Sequence, residues 1–184
     1  MPSANLYKAI TKADEKNTGA GYKNVVLWAP VSTFLSIKTP TLTPAVLGDK
    51  VKITTAHTFN TDEGFISWKC KTNSVTLTTE SVGDDGAKSL LHKARFVLLG
   101  DSASTQEQLQ DFLNDQCLFL LKDSDCLNTT DYIQLGDECT QPIATVNFDG
   151  KLSGVNETGL KEYTVEIATK SKKFWYSSTV TLKP

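Results

Sequence analysis

The stretch Ala87-Lys-Ser-Leu-Leu-His-Lys-Ala-Arg-Phe-Val-Leu-Leu99, closed by Gly100, decides the fold class. Leu90, His92, Ala94, Phe96 and Leu98 recur at a period of two on one face, with Lys93 and Arg95 on the other. A helix would scatter these residues around its axis. A pleated strand with one face on a core and one in solvent keeps them apart. The stretch is long enough to cross a whole sheet. Upstream of the polar turn Val82–Gly86, the segments Phe65–Lys71 and Ser74–Glu80 predict a hairpin joined by Thr72-Asn73. Earlier still, Val51, Ile53, Thr55, His57 and Phe59 alternate with Lys50, Lys52, Thr54 and Thr58. That pattern predicts a single half-buried antiparallel strand ending at the turn Asp62-Glu63-Gly64.

Downstream of Gly100, Ser104-Thr-Gln-Glu107 has the form of a capping box and opens one helix, about 104–116. Leu109, Phe112 and Leu113 make its apolar stripe. Cys117–Leu121 reads as a short apolar strand, Lys122–Thr130 as a polar loop, and Tyr132–Leu135 as a strand ended by Gly136. Ile143–Phe148 follows. Then Tyr163, Val165 and Ile167 alternate with Glu162, Thr164 and Glu166, and Phe174–Leu182 returns as the second half of a closing hairpin. Nine or ten strands, one helix and no βαβ rhythm predict a mainly β chain. The architecture expected is a rolled antiparallel β-sandwich or barrel with one flanking helix.

At the amino-terminal end, Val25-Val-Leu-Trp28 is an apolar run stopped by Ala29-Pro30, because proline brings no N–H to a ladder. Residues 1–22 are polar, with few apolar anchors beyond Leu6, Tyr7 and Ile10, and read as an arm that another element must order. Residues 23–184 read as a single domain. The extended segment at about 31–50 carries Pro40 and Pro44 among Phe34, Leu35, Ile37, Leu42, Val46 and Leu47. A solvent loop does not normally carry six such side chains. They are candidate interface residues, on an edge strand or on a loop covering a neighbouring chain.

The composition narrows the function classes. Nineteen basic against twenty-one acidic residues leave a formal charge of −2, which disfavours a protein that grips nucleic-acid phosphates. About two dozen threonines, one Met and two His favour strands and disfavour a His-based active site. No segment has the apolar length of a membrane span, and Met1–Tyr22 has neither an apolar h-region nor a small-residue cleavage site. No membrane insertion is expected, and folding in a cytoplasm is. Cys70, Cys117, Cys126 and Cys139 form no C-x-x-C and match no zinc spacing. They read as reduced packing thiols, with a Cys126–Cys139 bridge open under oxidising conditions.

Chemistry-bearing motifs are missing. H-E-x-x-H, G-x-S-x-G and G-x-x-x-x-G-K-[ST] do not occur, and His57 and His92 both fall on apolar strand faces. No catalytic, cofactor-binding or metal-ligating residues are expected, and the chain is not expected to be an enzyme. Asp123-Ser-Asp125 reads as turn chemistry rather than calcium ligation. The sequons at Asn128 and Asn156 mark surface loops. In Phe174-Trp175-Tyr176 the flanking aromatics share one face and Trp175 takes the other. That places the strand between a core and a cover, or turns Trp175 into an interface residue or a sugar-stacking platform. Lys170, Lys172 and Lys173 read as a solvated turn or as one side of a subunit boundary.

By Ile133-Gln-Leu-Gly-Asp-Glu-Cys139, Asn147-Phe-Asp-Gly-Lys151 and the closing strands, the chain resembles the tail tube proteins of bacteriophages. The earlier elements fit in the same order: Val25–Pro30, Val51–Phe59, Phe65–Cys70, the turn Glu80–Gly86, the long strand to Gly100 and the capped helix Ser104–Gln116. The resemblance is one of pattern and element order and covers most of the chain after the arm. It implies a major tail tube subunit of the virion, assembled in the host cytoplasm. Six copies would close a ring around a lumen, and rings would stack through the arm and the long loop. The implied partners are further copies, a tape measure protein and other tail proteins, with DNA passing transiently. The same fold serves neck and tail-terminator proteins. A carbohydrate- or host-surface-binding sandwich using Trp68 or Trp175 is the alternative of a different class.

Overall fold

The computed structural model describes residues 21–41, 46, 48–100, 102–124, 131–149 and 161–184. The arm other than Gly21 and Tyr22, Leu42, Leu47, Asp125, Cys126 and both sequons lie outside the described residues. In chain order the strands are β1 (Tyr22–Pro30), β2 (Phe34–Ser36), β3 (Lys52–Ile53), β4 (Thr58–Phe59), β5 (Ile66–Lys69), β6 (Thr76–Val82) and β7 (Ser89–Leu99). The helix α1 (Ala103–Asn114) follows, then β8 (Cys117–Asp123), β9 (Asp131–Leu135), β10 (Ile143–Asp149), β11 (Glu162–Lys170) and β12 (Lys173–Ser177).

The strands form a six-stranded sheet in the order β3-β12-β9-β8-β1-β5, a four-stranded sheet in the order β10-β11-β7-β6, and a small ribbon of β2 and β4. All pairings are antiparallel except β12 with β3. The two larger sheets are not closed into a barrel; they make a sandwich, flanked by α1, the one α-helix among the described residues.

Alternation builds the layers. Val26 and Trp28 of β1, Phe119 and Leu121 of β8, and Ile133 and Leu135 of β9 meet Ala94, Phe96 and Leu98 of β7 and Tyr163, Val165 and Ile167 of β11 in the main core. The helix adds Leu109 and Phe112, and the Phe112 ring sits 5.4 Å from Trp28 and 5.1 Å from Trp68. The intervening residues Leu27, Ala29, Leu120, Phe174 and Tyr176 point to the opposite face of the six-stranded sheet. There they form a second core with Ile53 and Phe65, against which Phe34 and Phe59 of the ribbon pack. The six-stranded sheet is therefore a middle layer, apolar on both sides, which explains the unbroken apolar run in β8.

Four expectations are corrected. The segment Val51–Phe59 is not one strand: Ile53 pairs beside Tyr176 at the sheet edge, and the chain then leaves the ladder until Thr58. Its continuation is held by side chains, the His57 N–H donating to the Tyr176 hydroxyl. Phe65–Lys71 and Ser74–Glu80 are not a hairpin, because β5 lies in the six-stranded sheet and β6 in the four-stranded one. The corner between them holds Asn73 at a φ of 57°, with the Ser74 hydroxyl donating to Lys71 O and accepting from Val97 N–H. The closing strands divide in the same way at Ser171, φ 59°, so β11 and β12 belong to different sheets, and β12 ends at Ser177 rather than Leu182. Finally, Ser102 caps the helix, its hydroxyl accepting from Thr105 N–H, so the helix begins at Ala103 without the box predicted from Ser104 and Glu107.

Candidate assembly surface

The four-stranded sheet presents the surface most suited to repetition. Its edges are β6 and β10, seven residues each, and neither has a second strand beside it among the described residues. Successive antiparallel pairing from β10 through β11 and β7 to β6 makes the two edge strands run in opposite directions. A second copy in the same orientation would thus bring its β10 antiparallel to β6, the arrangement that continues a ladder.

The face of this sheet turned away from the core is mostly polar, with Leu99 half exposed at one end of it. One row across it reads Thr76, Arg95, Glu166, Thr145, and the next reads Thr78, Lys93, Ala168, Ile143. Lys93 pairs with Glu80 and Arg95 with Glu166 at 3.7 Å. Half-exposed pairs of this kind contribute little to stability. Their effect is to cancel charge along the face. At the β10 edge apolar surface reappears: Ile143 is 74% exposed, and Phe148, its ring tilted against Tyr163 at 4.7 Å, remains half exposed.

The residues singled out in the 31–50 segment separate into three groups. Phe34 is committed to the molecule itself, 4.3 Å from the Phe59 ring and 5.6 Å from Phe65. Leu35 and Val46 are exposed at 72% and 61%, Ile37 is half-buried, and Leu42 and Leu47 lie outside the described residues. Trp175 is partly buried against the main core, between Phe174 and Tyr176, which face the second core. The strand thus lies between two packed layers. Trp68 is buried, with Nε1 donating to Gln108 Oε1 at 3.3 Å, and offers no ring face for a sugar. Lys172 pairs with Asp137, whose other carboxylate oxygen accepts from Cys139 and Thr140 N–H, so this acidic residue orders the turn after β9.

The remaining polar groups are mostly satisfied internally. His57 and His92 are buried in different layers, hydrogen-bonded to Gln134 and Thr79, and burial lowers the pKa of both. Burial pushes the Cys70 and Cys117 thiols up to about 12, which leaves them as inert packing groups. Cys139 is exposed. A cleft of about 160 Å³ between β5, the end of β7 and the helix is lined by Ser67, Trp68, Lys69, Leu98, Thr105 and Gln108. It is smaller than the few hundred Å³ typical of a small-molecule site. Among the described residues no three His, Cys, Asp or Glu side chains cluster as metal ligands, and no helix is long and apolar enough to cross a membrane.

Sequence reading missed the two features that matter most here. Which strands are edges depends on pairing between distant segments, so β6 and β10 looked like any other alternating runs. Gln134 is one polar residue inside a strand, and nothing in the local sequence signals its buried partner His57. No protein-family model, curated protein or solved structure matches this chain.

Proposed function

We propose that this chain is a structural subunit of a bacteriophage tail tube, closing into rings of six that stack into a conduit for DNA. The observation that carries the reading is the four-stranded sheet, whose two oppositely directed edge strands have no second strand beside them among the described residues, and its charge-cancelled outer face. Joining β6 of one copy to β10 of the next removes both edges at once and repeats around a closed ring. The resemblance in element order supplies the number six. In such a ring the four-stranded sheets form the inner wall, and the Thr-rich rows with paired charges face the lumen. A wall of that kind neither grips nor strongly repels a phosphate backbone, because it presents few unpaired cations for counterion-releasing contacts. The exposed Leu35 and Val46 lie on the segment assigned to stacking between rings.

Electron microscopy of the purified full chain tests this reading. Rings with a central lumen, or tubes of stacked rings, are expected near neutral pH. A species that stays monomeric at high concentration would overturn it, and a shift of that monomer on adding glycan would favour a binding module instead.

A further inference from the structure

The second core contains a buried polar junction that neither the packing nor the assembly reading requires. His57 is 3% exposed and lies between β3 and β4, with its ring stacked on Tyr176 at 4.8 Å and set edge-on to Phe34 at 5.6 Å. Both ring nitrogens are engaged. Nδ1 accepts the backbone N–H of Lys38 at 3.0 Å, just beyond β2. That leaves the proton on Nε2, which donates to Gln134 Oε1 at 2.8 Å, and the Gln134 amide is itself oriented by donating to Gly136 O. The His57 N–H donates to the Tyr176 hydroxyl, which donates in turn to Thr179 O. One imidazole thus joins the chain beyond β2, the approach to β4, the middle strand β9 and the strand β12.

We propose that His57 is an acid-opened latch that holds the β2–β4 ribbon against the outer face of the six-stranded sheet. The arrangement admits only the neutral Nε2–H tautomer. A proton on Nδ1 would face the Lys38 N–H donor to donor, breaking that bond inside a site with no water-exposed alternative. The groups facing the ring reinforce this. Phe34 and Phe65 are apolar, Gln134 is neutral, Tyr176 is a phenol whose pKa burial raises, and the charge of Lys38 opposes protonation. Burial is the larger cause of the lowered His57 pKa, partly offset by the bond to Gln134. When the ribbon lifts, the imidazole regains its ordinary pKa near 6.5 and takes a proton. Neutral when shut and protonated when open, the site favours opening by up to about tenfold for each pH unit below that value, until the shut form itself titrates. The latch is intramolecular, and its failure or success is separable from ring formation.

Ring ¹⁵N shifts and amide hydrogen exchange of the full chain, followed from about pH 7.5 to about pH 5, test it. At neutral pH the His57 ring should show the Nε2–H tautomer. Protection factors of the Lys38 and Asn60 amides, the latter bonded to Thr33 O across the ribbon, should fall by up to about tenfold per unit below pH 6.5. Those of Leu120 and Val165 should hold. His57→Asn, which keeps an acceptor near the Nδ1 position but cannot titrate, should remove the pH dependence at the ribbon, and His92→Asn should leave it in place. Ribbon protection that does not change with pH overturns the proposal, as does loss of core and ribbon protection in parallel or unchanged pH dependence in His57→Asn. If His57→Asn does not fold, the wild-type shifts and exchange profile decide.

Discussion

Phe112 shows how single residues hold this molecule together. The helix delivers its ring into the wedge between Trp28, Trp68 and Phe119, with ring centroids 5.1 to 5.6 Å away in edge-to-face geometry. It is 1% exposed, and the aromatic neighbours cannot collapse into the space it would leave. Phe112→Ala should therefore destabilise the fold by about 3–5 kcal/mol, read as a shift in denaturant midpoint at unchanged slope. Leu113, placed on the same stripe by sequence spacing, is 44% exposed, and Leu113→Ala should cost far less. Spacing alone could assign both to one helical face. Only the width of the groove that receives the helix separates them. Gln134 is the opposite case: a polar residue between Ile133 and Leu135 that is fully buried because both faces of its sheet are covered.

At the scale of elements, local pattern recovered nearly every strand but not where the strands go. The alternation of Ala94, Phe96 and Leu98 marks a strand because the pleat itself imposes the period. Asn73 and Ser171 read equally well as hairpin turns and as corners between sheets. Their role is set by contacts made elsewhere, such as Lys71 N–H to Val97 O and Ser171 N–H to Leu90 O. The helix start was misread for a similar reason. Ser102 and Ser104 both precede helix-forming residues, and Ser102 is the one whose extended backbone, φ −124° and ψ 156°, lets its hydroxyl accept from Thr105 N–H. Ser102→Ala should lower stability by about 1 kcal/mol, and Ser104→Ala by only a few tenths, in paired thermal melts. The edge strand β10 yields a third prediction. Ile143 is largely exposed and packs little, so Ile143→Lys should leave the melting temperature unchanged while abolishing the higher species in sedimentation velocity. Loss of the fold instead would mean that β10 serves the monomer and not a junction.

At the scale of the whole molecule, three layers divide the work. The helix and the two large sheets enclose the main core and make a stable body. The ribbon and the segment after β12, tied by Phe65 N–H to Thr181 O and Lys183 N–H to Phe65 O, cover the second core. The four-stranded sheet leaves β6 and β10 without a second strand beside them among the described residues. The central claim is that these edges meet between copies, β6 of one against β10 of the next. Cysteine cross-linking tests it most directly: Thr78→Cys combined in turn with Ile143→Cys, Thr145→Cys or Asn147→Cys, with Cys126 and Cys139 replaced by Ser. Under mild oxidation at least one pair should give a ladder of covalent multimers ending at six, and each single cysteine variant should give no product larger than a dimer. No cross-link from any of the three pairs in preparations that form rings would contradict the claim.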